Sequence, residues 1–108
     1  MLKEYSKKYF HFFKEKNIKE ISEMFSDNIQ LTDWTISCSG KNEVIKFYEK
    51  IFNDIDSIEI KIANIYSIEF VVIAQLEIFI DDNDPIDVVD IIKFNESNEI
   101  TNIKAYKC

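Results

Sequence analysis

Two aspartates occupy positions where the alternation of this chain calls for hydrophobic residues. In the run from Ile86 to Phe94, a period of two puts Val88, Ile92 and Phe94 on one strand face with Asp90 in their midst. In the run from Ile29 to Trp34, the same rule places Asp33 beside Ile29 and Leu31 and leaves Gln30 and Thr32 on the polar side. Both carboxyls are expected to point inward. An ionised carboxylate in an apolar setting is costly unless it is paired, hydrogen-bonded or neutralised by a raised pKa. Such a pair marks either acid–base chemistry or a buried polar network in which Tyr9 or Trp34 satisfies a carboxylate.

The elements that must position these residues are legible from periodicity. Leu2, Tyr5, Tyr9, Phe10, Phe12 and Phe13 form one broad apolar face of a helix from about Leu2 to Lys16. Asn17 is a plausible N-cap of a short second helix, with Glu20 three residues on and Ile18, Ile21, Met24 and Phe25 at helical spacing before Ser26, Asp27 and Asn28 end it. After the Asp33 strand, Ser37 to Gly40 reads as a loop into a third helix carrying Val44, Ile45, Phe47, Tyr48, Ile51 and Phe52. The period then changes to two. Ile58 to Ile62, Phe70 to Ile80, the Asp90 strand and Glu99 to Lys107 read as an antiparallel meander, with turns at Asp81 to Pro85 and Asn95 to Asn98. Three helices with one strand among them, followed by a meander, signal an α+β fold with the helices covering one face of a curved sheet.

Composition excludes several classes. With 108 residues, 46% of them hydrophobic, the chain is expected to be one domain. The net charge of -7 opposes phosphate backbones, and all thirteen basic residues are lysines, so the guanidinium fork suited to nucleic acid is absent. No apolar run is long enough to span a bilayer, and the charged start at Lys3 and Glu4 does not suit a secretory signal, so a soluble, cytoplasmic protein is expected. Cys38 and Cys108 form no metal-ligand pattern and are expected to be free thiols. No metal site is expected either: His11 is the sole histidine and falls on the exposed side of its helix, and the acidic turn Asp81 to Pro85 lacks the glycine and terminal glutamate of a calcium loop.

The element order, the phrase from Phe25 to Asp33, and the phrase Val88-Val89-Asp90-Ile91-Ile92-Lys93-Phe94 with its sequel Ile100 to Tyr106 together resemble the nuclear transport factor 2-like superfamily. The likeness is greatest to its SnoaL-like, ketosteroid isomerase-like branch, and it extends over nearly the whole chain. This resemblance implies a cone-shaped, curved antiparallel sheet with three N-terminal helices on its concave face, a cystatin-like α+β barrel forming one SnoaL-like domain over residues 1–108. It also implies a ligand cavity and, in the isomerases, proton transfer beside a carbonyl without a cofactor. The family pattern falls on Asp33 as general base and on Tyr9 and Asp90 as hydrogen-bond donors, with Asp90 kept protonated by Val88, Ile92 and Phe94. Phe13, Trp34, Phe52, Val88, Ile92, Ile103 and Lys107 are the expected ligand-binding residues. Trp34 replaces the proline that usually follows the base, and Lys107 stands where an aromatic would line the pocket. That lysine either meets Asp33, Asp90 or an anionic ligand, or stays solvated at the chain end. The alternative is a non-catalytic binding or dimerisation module of the same fold.

The opposite sheet face mixes Asp87, Val89, Ile91 and Lys93 with Val71, Ile73, Gln75, Glu77 and Phe79. That is too apolar for a solvated surface and implies a covered face, and the resemblance to the superfamily implies that the cover is a second copy, a homodimer packed sheet to sheet. The expected partners are therefore a second copy and a small apolar or carbonyl-containing ligand, with neither nucleic acid nor membrane.

Overall fold

The computed structural model describes every residue from Met1 to Cys108 and contains three helices and six strands. Helix α1 spans Leu2–Lys14, α2 Ile18–Glu23 and α3 Lys41–Asp54. The strands are β1 (Phe25–Thr32), β2 (Ser37–Ser39), β3 (Ile58–Ile68), β4 (Val71–Ile80), β5 (Ile86–Phe94) and β6 (Ile100–Lys107). They form one sheet in the order β2-β1-β6-β5-β4-β3. The meander β3 to β6 is antiparallel throughout, as the short connections between its strands require.

Four features differ from the sequence expectation. Strand β1 pairs with β6 in parallel, so the sheet is mixed. It is also open, with β2 and β3 as its free edges, and so is not a closed barrel. Strand β1 begins at Phe25, where Ser26, Asp27 and Asn28 were expected to turn the chain. Phe25 aligns with Ile100, and the register slips before Gln30 meets Asn102, which lets three polar residues sit in an irregular strand start. The expected loop from Ser37 to Gly40 contains β2, whose pairing of Thr32 with Ser37 closes a short hairpin on Asp33.

Local signals explain how the helices are held. The Asn17 side chain accepts a hydrogen bond from the Glu20 backbone N–H at 3.2 Å, which makes it the N-cap of α2. Gly40, with φ of 91°, precedes α3, and its amide donates to the Ile29 carbonyl at 2.8 Å, tying the helix start to β1. At the other end, the Lys16 ammonium donates to the carbonyls of Ile55 and Asp56, satisfying acceptors just past α3 from the end of α1.

The core lies between these helices and one sheet face. Ile21, Phe25, Ile29, Val44, Val72, Ala74, Ile92, Ile100 and Ile103 are all essentially inaccessible to solvent. Burial along β5 alternates as the sequence requires, with Val88, Asp90, Ile92 and Phe94 buried. On the other face Tyr66, Ile68, Phe70 and Tyr106 are about half exposed or more, beside the partly buried Val71, Ile73, Val89 and Ile91. His11 is exposed, and Cys38 and Cys108 are free thiols. No helix is long and apolar enough to cross a membrane.

Candidate functional site

Strand β5 carries Asp90 to the centre of the sheet, and its two neighbours are small. Asp90 aligns with Ala74 on β4 and with Ala105 on β6. Neither methyl group can fill the space above the carboxyl, and a cavity of about 370 Å³ opens there under α1 and α3. Fourteen of its seventeen wall residues are hydrophobic, and the titratable side chains among them are Asp33, Asp90, Tyr9 and Tyr48. A larger hollow of about 680 Å³ lies on the far side of the sheet, lined by Lys61, Asn64, Glu77 and Asp87. Within it the Asn64 amide donates to the Gln75 side-chain oxygen at 2.8 Å, and the lining includes exposed residues such as Lys61, Gln75 and Asp87.

The Asp90 side chain is only 8% exposed and makes no hydrogen bond within the chain. Burial lifts its carboxyl from an ordinary value of 3.8 to about 7, and the negative charge of Asp33 adds to the shift. Above Asp90, α1 presents Tyr9 and α3 presents Tyr48, both buried. Their hydroxyls are hydrogen-bonded at 2.5 Å. Burial pushes both phenols above their ordinary range, and the charge of Asp90 pushes in the same direction for each. One hydroxyl must donate to the other, so the pair retains one proton that can be offered into the cavity.

Asp33 follows the last residue of β1 and sits at the cavity wall beside Trp34 and Thr35. Its Oδ1 accepts from the Thr35 amide at 2.7 Å, the Thr35 hydroxyl at 2.8 Å and the Ile36 amide at 2.9 Å. The carboxylate thereby shapes the four-residue turn between β1 and β2, an Asx turn in which a side chain stands in for a backbone acceptor. All three bonds fall on one oxygen, which leaves the other free of bonds within the chain. Neither Tyr9 nor Trp34 satisfies either carboxylate, so no closed polar network of that kind forms.

The cavity brings together Tyr9, Asp33 and Asp90, and its wall includes Phe13, Trp34, Val88 and Ile103. Three expected ligand-binding residues lie elsewhere. Phe52 packs edge-on against Phe13 with ring centroids 5.2 Å apart and belongs to the core. Ile92 is fully buried beneath the helices, one step further along β5 than the cavity reaches. Lys107 is exposed and forms no ion pair, and it lies three residues past Lys104, where the pairing of β6 with β1 ends. Sequence reasoning also missed Tyr48. The signal was its place between Val44 and Phe52 in the buried stripe of α3, where a tyrosine hydroxyl needs a partner. Its partner, 39 residues away, is a product of tertiary structure.

An open, six-stranded α+β cone with a cavity between helices and sheet defines the nuclear transport factor 2-like fold. A model of the SnoaL-like domain family matches residues 2–82, and the chain belongs to that family. Among solved structures, the epoxide hydrolase/cyclase-like enzyme SalBIII of pyran ring formation in the polyether salinomycin superposes with a TM-score of 0.85. It is 17% identical, and the match spans 99% of this chain and 90% of that one. A nuclear transport factor 2-like protein of unknown function from Cytophaga hutchinsonii gives 0.84 at 12% identity, over 100% and 90% of the two chains. A ketosteroid isomerase-like protein of Kribbella flavida gives 0.83 at 8% identity, over 95% and 74%. At these identities the likeness is one of fold. No curated sequence matches the chain.

Proposed function

We propose that the cavity binds a small, largely apolar molecule carrying a carbonyl and that the protein moves a proton beside that carbonyl, as an isomerase, cyclase or lyase working without a cofactor. The observation that carries this reading is the buried Asp90 carboxyl, aimed into an apolar cavity with no partner of its own. In its protonated form Asp90 donates to the carbonyl oxygen, together with the proton left over from the Tyr9–Tyr48 pair. The free oxygen of Asp33 takes the proton from the adjacent carbon and returns it elsewhere on the skeleton. Placing two donors at the oxygen and a base at the carbon stabilises the enolate that forms between these transfers.

The test is turnover of a panel of model enones by wild type and by Asp33→Asn. The amide oxygen of asparagine can still accept the turn's hydrogen bonds, so the variant removes the base and keeps the loop. Loss of turnover in the variant supports the proposal, while turnover that survives it, or none with any substrate, counts against catalysis. One observation favours a second reading, a non-catalytic ligand-binding or dimerisation module. Asp33 already has a structural task, since three donors on its Oδ1 hold the β1–β2 turn.

The proposal extends to a homodimer. Rows across the outer sheet face run Tyr66, Ile73, Ile91 and Gln75, Val89, Tyr106 by strand register, and their apolar surface suits a two-fold, self-complementary contact.

A further inference from the structure

The cavity has a charge character as well as a shape. Its wall contains two carboxyls, Asp33 and Asp90, and no lysine, arginine or histidine. The lysine expected to supply a cation, Lys107, is exposed to solvent. Five aromatic rings, those of Tyr9, Phe13, Trp34, Phe47 and Tyr48, complete much of the wall. Asp90 is more than nine-tenths buried, and none of the hydrogen bonds within the chain reaches its carboxyl. An ionised carboxylate held this way lacks what normally compensates it: a cation, or a set of donors.

We propose that this cavity accepts a lipophilic amine in its protonated form, seated with the ammonium group against Asp90 and near Asp33 and with its apolar body among the aromatic rings. An ammonium supplies the missing positive charge, gives donors to a carboxylate that has none, and meets π faces that attract cations. The same wall rejects carboxylates and phosphates, which would bring a third negative charge into an apolar space without a cation to receive it. At the usual packing density the cavity has room for roughly 270 Å³ of ligand volume, enough for a ring system with a short side chain.

This inference rests on the reading of the cavity as a ligand site and adds a ligand class to it. A carbonyl compound uses the protonated form of Asp90, whereas an ammonium uses the ionised form. With burial lifting that carboxyl to about 7, both forms are populated near neutral pH. The groups facing it are Asp33 from the β1–β2 turn, Tyr9 from α1 and Tyr48 from α3, while β4 and β6 contribute only the uncharged Ala74 and Ala105 beside it. The two phenols stay neutral in this range, their ionisation pushed upward by burial. The pH dependence of binding therefore reports on Asp90.

Three probes of one shape separate the possibilities: 4-phenylbutan-2-amine, 4-phenylbutan-2-one and 4-phenylbutanoate, titrated calorimetrically into the full chain at about pH 8.5 and about pH 5.5. The amine is expected to bind at least about tenfold more tightly than the ketone at the higher pH and to lose most of that advantage at the lower, one pKa unit being a factor of ten. The ketone is expected to move in the opposite direction, and the carboxylate to bind most weakly at both. Asp90→Asn is expected to bring amine and ketone to similar affinities independent of pH. The pH series on wild type gives the answer even if that variant does not fold. An amine that binds no better than the ketone at high pH overturns the charge inference and leaves the carbonyl reading standing. An amine preference that persists at low pH or in Asp90→Asn places the cation elsewhere and also overturns it. Failure of all three probes to bind overturns the ligand-site reading together with this one.

Discussion

Replacing Asp90 by asparagine should stabilise the protein, and only above a definite pH. The unfolded chain ionises this carboxyl near 3.8, whereas the fold holds it neutral up to about 7, chiefly because burial disfavours the charge and secondarily because Asp33 is negative. Between these values the unfolded state gives up a proton that the folded state keeps. Stability contributed by the neutral carboxyl is therefore fully present below about pH 4, declines as pH rises, and is lost once the folded carboxyl itself ionises. The displacement corresponds to about 4 kcal/mol, and with the side chain only 8% exposed, solvent screens little of it. Asparagine has nearly the same shape and no charge to bury, although its amide faces the same cavity without an in-chain partner. Asp90→Asn should match wild type near pH 4 and exceed it by about 2 to 4 kcal/mol above pH 7.5, a rise of roughly 10 to 20 °C in Tm for a chain of this size. Urea unfolding at a series of pH values checks this, with an unchanged m-value showing that both proteins unfold from comparable states. A variant that is less stable at every pH, or whose gain is the same at pH 4 as at pH 8, would refute the reasoning and make Asp90 an ionised residue with a structural partner.

Other substitutions test other parts of the structure. Tyr48→Phe removes the hydroxyl bonded to Tyr9 in a buried setting and should cost about 1 kcal/mol in denaturant unfolding; a stabilised variant would mean the bond contributes nothing. Ile92→Ala, at a fully buried site on a central strand, should cost about 2 to 5 kcal/mol in thermal or urea melts, in contrast to an exposed change such as Lys107→Ala, which should stay within about 0.5 kcal/mol. Ile91→Glu places a charge in the outer apolar face and should convert a dimer to monomer, or to insoluble protein, on a sizing column. Elution of variant and parent at the same monomeric volume would dispose of the dimer.

The family and most of the elements were legible in the residues themselves, because local periodicity is enforced by one buried face. The alternation of Val88, Asp90, Ile92 and Phe94 could be read as one inward row before any partner strand was known, and that row is what the structure buries. The same holds for the apolar face of α1 and the Asn17 cap, since both depend on residues three or four positions apart. Wherever the outcome depended on residues distant in sequence, local reading fell short. The start of β1 at Phe25 is decided by Ile100, 75 positions later, which overrides the turn preference of Ser26, Asp27 and Asn28. Strand β2 exists because Ser37 lies opposite Thr32 across the turn that Asp33 holds. Lys107 keeps the inward phase of its strand but lies past the point where β1 pairs with β6, so alternation alone misplaces it. The cavity is the clearest case. Sequence determined that a carboxyl at 90 points inward, but tertiary structure decided that Ala74 and Ala105 flank it, that Tyr9 bonds Tyr48 instead of the carboxyl, and that no cation reaches it. A side chain's direction follows from its own strand, whereas the space and charge around it are set by which distant residues the topology brings alongside.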